Sequence, residues 1–445
     1  MKVCNPWLWG FDLKLRQGGG EGFLGDYSHV IVDEAHKIHD GLRAAFTSRM
    51  GEKQMSKTIN RCATKLGIDV QYEGELLDSW DDMFATVKQF KKKDTTVSLE
   101  DLPTDKIEAV LKVLTKQYNK LEEIRSPDAT GFHPNAAQAT FLFGTLLDCV
   151  KALYSPQSIN GQRVCFMKHE YFQWWITVAP IDVNWILGQY NHMKSFTYMS
   201  ATLAVGGSTD YFARSMGHDP ADCTELLLPT VFDMKKQALL YVSKNVPQPT
   251  RAEDRVYDYR RKLADEIVTL VQASDGNALV LFTARDHMGE VASMVRGKIK
   301  NQIFTQDGGV PPAVVLRKYL NTDNSVLFGL KSFFEGVNIP GQKLSLVVIT
   351  CLPFPGRTDP VVQAQREKVG SKWFPMVDLP SCELDVRQAA GRLIRTNTDR
   401  GVVALLDSRA VTKRYAKRIR NSLGIPNITT NLNATVKTLQ SLPKE

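Results

Sequence analysis

The sequence has no apolar run of the length that a helix needs to cross a bilayer, about 20 residues. Its most apolar stretch, 174–187, is interrupted by Asp182 and Asn184, so no membrane partner is expected. The opening segment MKVCNPWLWGFDLKLR has no long apolar stretch ahead of its charges and does not read as a secretory leader. Cysteine is sparse and unpatterned. The seven are Cys4, Cys62, Cys149, Cys165, Cys223, Cys351 and Cys382, an odd number with no C-x-x-C, which excludes a zinc ribbon and a disulfide framework. An intracellular, reducing compartment, the cytoplasm, is expected. Charge of one sign is also modest. Lys plus Arg number 56 and Asp plus Glu 48, leaving +8, which permits a polyanionic partner without specifying one.

What remains is ordinary globular composition, 43% hydrophobic and 23% charged, over 445 residues. That length predicts two to four domains with sizeable cores. The first clear strand is 29–32, β-branched and followed at once by acids, with a glycine-rich loop at 18–25 ahead of it. From about 41 to 164 turn signals thin out and helical periodicity takes over. Ile107, Val110, Leu111, Leu114, Tyr118 and Leu121 form one apolar stripe, with Pro103 and Thr104 as a start signal. A basic run at 88–93 reads as a solvated face. Strand signals return at Tyr198. Short apolar runs follow at 239–243, 278–282, 326–328, 344–350 and 402–406, with helical patterns between several of them. Strands alternating with helices predict a parallel α/β sheet. A linker is expected near 228–234, where Pro229 interrupts the pattern.

Three constellations carry chemistry. Asp33-Glu34-Ala35-His36 directly follows the strand 29–32, at the carboxyl edge where open α/β sheets place ligands. There Asp33 can offer a hard oxygen to Mg²⁺ and Glu34 can polarise a water; alternatively Asp33 simply caps a helix. Gln388-x-x-Gly391-Arg392-x-x-Arg395 lies within 386–396, expected as a helix. Helical spacing would put Gln388, Arg392 and Arg395 on one face, where two guanidiniums can clamp a phosphate chain. Gly391 in mid-helix suggests close approach of another backbone. Phe333 to Gly341, containing Glu335 and Gly336, reads as a turn-rich loop after the strand 326–328, and Ser200-Ala201-Thr202 as a strand end.

Taken in order, these segments resemble the DinG/XPD branch of superfamily 2 DNA helicases. Residues 29–36 resemble its DEAH Walker B motif, 199–203 its motif III, 279–284 its motif IV, and 329–341 its motif V. The stretch 352–360 is similar to the LPFxxPxDP segment behind motif V, and QAAGRLIR at 388–395 to motif VI in the DinG/XPD form. The resemblance implies an α/β fold of two RecA-like domains, the first incomplete, with a mainly helical insertion in the place of the family's Arch domain. It implies a first domain at 1–40 and 166–228, an insertion at 41–165 and a second domain at 231–445. It also implies an ATP-dependent DNA helicase, moving 5′→3′ on single-stranded DNA or a junction, with ATP and Mg²⁺ as cofactors.

By the same resemblance Asp33 holds Mg²⁺, and Glu34, Arg392, Arg395 and Gln388 are catalytic. Asp33, Glu34, Glu335, Gly336, Arg392 and Arg395 contact the nucleotide, while Ser200, Ala201, Thr202 and His36 couple nucleotide to nucleic acid. Two departures matter. No G-x-x-x-x-G-K-[ST] occurs in the 445 residues, and Asn338 and Phe334 stand where the family usually has Asp and Trp. The expectations are therefore an N-terminally incomplete chain, inactive alone, with a protein or segment supplying the P-loop. No iron–sulfur cluster is expected, because Cys4 alone cannot hold one. The alternative is an ATPase-inactive nucleic-acid clamp or scaffold on the same fold.

Overall fold

The computed structural model describes residues 2–17, 21–89, 96–97, 102–155, 161–170, 173–188, 194–250, 252–306, 310–334, 339 and 341–443. The chain divides into two units. The first holds 1–201, 213–222 and 356–373, and the second 202–212, 223–355 and 374–445.

In the first unit the β-branched run HVIV forms β1 (His29–Val32), which among the described residues pairs in parallel with β6 (Ser195–Tyr198) alone. Between them the chain builds β2 (Ser48–Gly51), β3 (Thr96–Val97), β4 (Arg163–Glu170) and β5 (Gln173–Pro180), an antiparallel sheet in the order β2-β5-β4-β3. Helices α1 (Pro6–Gln17), α2 (Ile38–Phe46), α3 (Gln54–Arg61), α4 (Glu73–Val87), α5 (Thr104–Glu123) and α6 (Ala136–Tyr154) are its longer helices. The apolar stripe of α5 turns inward as its spacing predicts. Ile107, Val110, Leu114 and Leu121 are buried, and Leu111 and Tyr118 pack partly buried against the same core. Among the described helices α6 alone is long and apolar enough to cross a membrane, but ten of its residues, Phe143 and Leu146 among them, are buried in this core.

Residues 41–165 are mainly helical, as expected, but they also contribute β2 and β3 to the antiparallel sheet. β4, RVCFMKHE, sends Cys165 and Met167 into the core while Val164 and Phe166 are half-buried on the other side. The expected boundary at 165 falls inside this strand, and 163–180 share a core with 50–153. Of the basic run, 90–93 lie outside the described residues, and Lys88 pairs with Glu52 at 2.8 Å.

The second unit is a seven-stranded, wholly parallel sheet. Its strands are β7 (Ala238–Val242), β8 (Ala278–Leu281), β9 (Ile303–Thr305), β10 (Val326–Gly329), β11 (Leu346–Ile349), β12 (Gly401–Leu405) and β13 (Ile428–Thr429), in the order β13-β7-β12-β11-β8-β10-β9. Alternate residues feed two cores, as a parallel sheet covered on both faces requires. Leu279, Leu327 and Val347 join one, Val280, Phe328 and Val348 the other. Helices α7 (Glu253–Ala273), α8 (Arg285–Val295) and α11 (Leu432–Gln440) contribute to the second of these cores. Helices α9 (Pro312–Leu320) and α10 (Leu379–Ala390) contribute to the first.

Candidate functional site

In the first unit the parallel register sets Val32 opposite Tyr198, so the acids after β1 and the Ser-Ala-Thr after β6 leave the sheet side by side. Met199 N–H donates to Val32 O at 2.8 Å, and Ala35 N–H to Met199 O at 2.9 Å, tying the two strand ends together. His36 Nδ1 then lies 2.7 Å from Ser200 Oγ and 3.3 Å from Glu34 Oε2. Residues 164 apart in sequence thus meet in one cluster. Glu34 has φ +48°, a left-handed conformation that costs a non-glycine residue ~1 kcal/mol or more. Its own N–H donates to Asp33 Oδ1 at 2.8 Å. The turn leaves the Glu34 carboxylate 61% exposed above the strand end.

Asp33 is exposed at the same edge. No group of three or more His, Cys, Asp or Glu side chains able to hold a metal occurs among the described residues. Mg²⁺ binds through one or two carboxylates plus substrate phosphates rather than an all-protein cage. Asp33 is the residue that would hold it.

The chain passes from the first unit to the second between Ala201 and Thr202. Ser200 therefore bonds within one unit, while Thr202 Oγ1 receives Gln388 Nε2 at 3.5 Å within the other. Gln388 is buried, and its Oε1 has no partner among the described residues.

The helix expected over 386–396 ends at Ala390. Gly391 is its C-cap, with N–H donating to Arg387 O at 2.9 Å. An added Cβ there would meet Arg387 O at 3.3 Å and Gln388 O at 3.6 Å, so the crowding comes from the last turn of this helix rather than from another backbone. Beyond it Leu393 and Ile394 are buried and Arg395 is exposed. The buried apolar pair anchors a loop beyond the helix end, so helical spacing does not relate Arg392 to Arg395. Arg392 Nε donates to Gln388 O at 3.3 Å. Glu335 and Gly336, and Asn338 with them, lie outside the described residues.

Sequence reasoning gave no role to Asp407. This fully buried carboxylate accepts from Leu352 N–H at 2.9 Å and from Arg409 at 2.6 Å, and burial comes with the pairing that a buried charge needs. It joins the ends of β11 and β12, and Arg409 in turn covers the Phe354 ring at 5.3 Å. An acid followed two residues later by Arg at a strand end was the available signal.

The chain is similar to several known helicases. A model of the helicase C-terminal domain matches residues 267–424. The ATP-dependent DNA helicase YoaA of Haemophilus influenzae is 30% identical over 457 aligned residues, covering 99% of this chain and 69% of that protein. YoaA of Escherichia coli is 25% identical, covering 95% and 66%, and the ATP-dependent helicase DinG of Mycobacterium tuberculosis is 31% identical, covering 64% and 43%. The chain thus spans about two thirds, or less, of the length of these relatives. Among solved structures an apo XPD shares a TM-score of 0.60 at 17% identity over 95% of this chain and 80% of that one. Xpd4 of S. tokodaii shares 0.60 at 16% over 96% and 81%. The fold is that of the XPD helicases, RecA-like α/β structure with a helical insertion. Within that class, the chain belongs to the DinG/YoaA family of helicases.

Proposed function

We propose that the chain carries the second RecA-like domain, the insertion and the acid-pair strand of an ATP-dependent DNA helicase that moves 5′→3′ on single-stranded DNA. The observation that supports this best is the cluster in which His36 meets both Glu34 and Ser200. In this reading residues 1–40 and 166–228 serve the first domain, 41–165 the insertion (with 163–180 drawn into its core) and 231–445 the second domain. Glu34 orients and polarises the attacking water. Asp33 holds Mg²⁺, which when bound supplies charge neutralisation at the phosphates. Arg392 and Arg395 neutralise charge on the transferring phosphoryl group, with Gln388, Glu335 and Gly336 contacting nucleotide. His36, Ser200, Ala201 and Thr202 relay the nucleotide state to the DNA.

In this reading a further segment or partner supplies a P-loop, whose backbone amides and lysine make the phosphate cradle. The 445 residues by themselves are expected to show no significant ATP turnover; robust DNA-stimulated hydrolysis by them would contradict this. With a segment carrying a G-x-x-x-x-G-K-[ST] P-loop fused ahead of Met1, Glu34→Gln should abolish turnover and spare nucleotide binding. Loss of binding instead would make Glu34 structural.

The lack of a P-loop motif favours a second reading for these residues alone, a clamp that holds single strands without turnover. With ~4–6 phosphate contacts, binding should fall with a log–log salt slope of about −3 to −4. Salt-insensitive binding, or none at low salt, would count against either nucleic-acid role.

A further inference from the structure

Two buried side chains that no motif includes fix the root of the arginine loop. Asp399 is 6% exposed and Gln237, just ahead of β7, is 3% exposed. One Asp399 oxygen, Oδ2, accepts the N–H groups of Arg395 at 2.7 Å and Thr396 at 2.8 Å; Oδ1 accepts the Thr396 hydroxyl at 2.7 Å. From the opposite side Gln237 Nε2 donates to Thr396 O at 2.8 Å and Asp399 O at 3.0 Å. Arg400 closes the same turn by donating to Asn397 O at 3.0 Å and Asp399 O at 2.8 Å. A buried carboxylate and a buried amide are costly unless their hydrogen bonds are met. Here five are met, and they converge on residues 395–399.

The helix that precedes this loop ends at Ala390, so it cannot hold Arg395 in place. A charged group that must meet a transferring phosphoryl needs its backbone held to within a fraction of an ångström, since about 1 Å of misplacement can cost ~10²-fold in rate. We propose that Asp399 and Gln237 are positioning residues that set the direction of Arg395 by clamping its N–H and the turn after it. The inference rests on the phosphoryl-neutralising role given to Arg395 above. Neither residue touches nucleotide in this scheme; both act through the backbone.

The test has two readouts. In the 445-residue chain, Asp399→Asn and Gln237→Leu should raise hydrogen exchange at the Arg395 and Thr396 amides by about tenfold or more, with exchange in β8 and β11 unchanged. Thr396→Val, which removes the hydroxyl's bonds to Asp399 and Thr398 and keeps the carboxylate with its two backbone bonds, should give a smaller rise and covers the case in which Asp399→Asn fails to fold. In the chain with a P-loop segment fused, Asp399→Asn should lower kcat by about 10²-fold and leave KM for ATP within about threefold. Arg395→Ala in the same background is the reference. If it lowers kcat while the Asp399 and Gln237 variants leave both exchange and kcat unchanged, the positioning role is overturned and the role of Arg395 stands. If Arg395→Ala leaves kcat unchanged, the role of Arg395 falls and the clamp has nothing to position.

Discussion

The two units carry their chemistry on unequal foundations. In the second, every residue of β8, β10, β11 and β12 is buried, and three further strands, β7, β9 and β13, flank or extend that central set. In the first, the acids stand at the end of a two-stranded parallel ladder in which Val32 is buried and Ile31 is 71% exposed. Parallel sheets are normally covered on both faces, and two strands alone are marginal. The first unit's main core belongs instead to α3–α6 and the antiparallel sheet. Its stability and its acid pair therefore reside in different places, whereas in the second unit the arginine loop grows out of the core that stabilises the fold. A substitution in one unit should separate activity from stability cleanly, and in the other should do so only at the loop.

The largest effect should come from that loop. With the P-loop segment fused, Arg395→Ala should lower kcat by roughly 10³-fold or more, the range for arginines that neutralise phosphoryl transfer. The melting temperature should barely move, because Arg395 is exposed and exposed charges contribute little stability. A collapse in melting temperature with unchanged specific activity would make it a surface basic residue. The converse test is Phe328→Ala. Phe328 is fully buried in β10, its ring 5.2 Å from Phe282, and truncation should cost about 3–5 kcal/mol by thermal or denaturant unfolding. A cost below ~1 kcal/mol would mean that the parallel sheet is not the stabilising element of the second unit.

This contrast also marks what could be read from the sequence. The strands at 239–243, 278–282, 326–328 and 402–406 were legible because a strand buried on both faces is a short, nearly continuous apolar run between turns. The acid pair was legible because adjacent carboxylates directly after such a run have few other uses. The helix over 386–396 was overextended, because QAAGRLIR has acceptable helix formers throughout except Gly391. What stops it is Leu393 and Ile394 turning into the core and Asp399 capturing two amides, a capture that no helical template contains. β4 was hidden for the opposite reason: Val164 and Phe166 on one face and Cys165 and Met167 on the other erase the alternation that announces a half-buried strand. The meeting of His36 with Ser200 depends on strand register across 164 residues and leaves no local trace.

Acid should test the two units in parallel. Burial lowers His39 of the first unit to about 4, with Arg43 adding to the effect and Asp40 opposing it. Burial and then Arg260 lower His287 of the second unit to about 4 as well. Each ring is held neutral in the fold, and the unfolded chain takes up its proton near pH 6.5. The unfolded state thus binds more protons between these values. The contribution is complete above about pH 6.5 and is lost as pH falls through 4. For His39 it amounts to at most ~3 kcal/mol, less where the ring edge meets solvent. His39→Gln should flatten the stability profile between pH 6.5 and 4 for the first unit, and His287→Gln for the second. An unchanged slope in either variant would place the acid sensitivity elsewhere. The two sites differ in one respect. His39 Nε2 meets Ser215 Oγ at 2.7 Å, whereas His287 Nε2 has no partner among the described residues. At pH 7, where both rings are neutral, His39→Leu should therefore cost more than His287→Leu, by about 1 kcal/mol.

The smallest effect is the most direct probe of the thin ladder. Ile31 pairs in register with Thr197 but is mostly exposed, so Ile31→Ala in the 445-residue chain should change stability by no more than ~0.5 kcal/mol. The same substitution should behave differently once a P-loop segment is fused. If that segment brings strands or helices that cover β1, Ile31 becomes a core residue, and removing its branched side chain should cost about 2 kcal/mol or more. The comparison is internal, one substitution in two chains, so errors in the unfolded reference cancel. A cost that rises on fusion means that the acid-pair strand is completed by what the segment supplies. A cost that stays near zero means that the segment binds elsewhere, and Glu34 would then gain no phosphate cradle from it, whatever its turnover numbers.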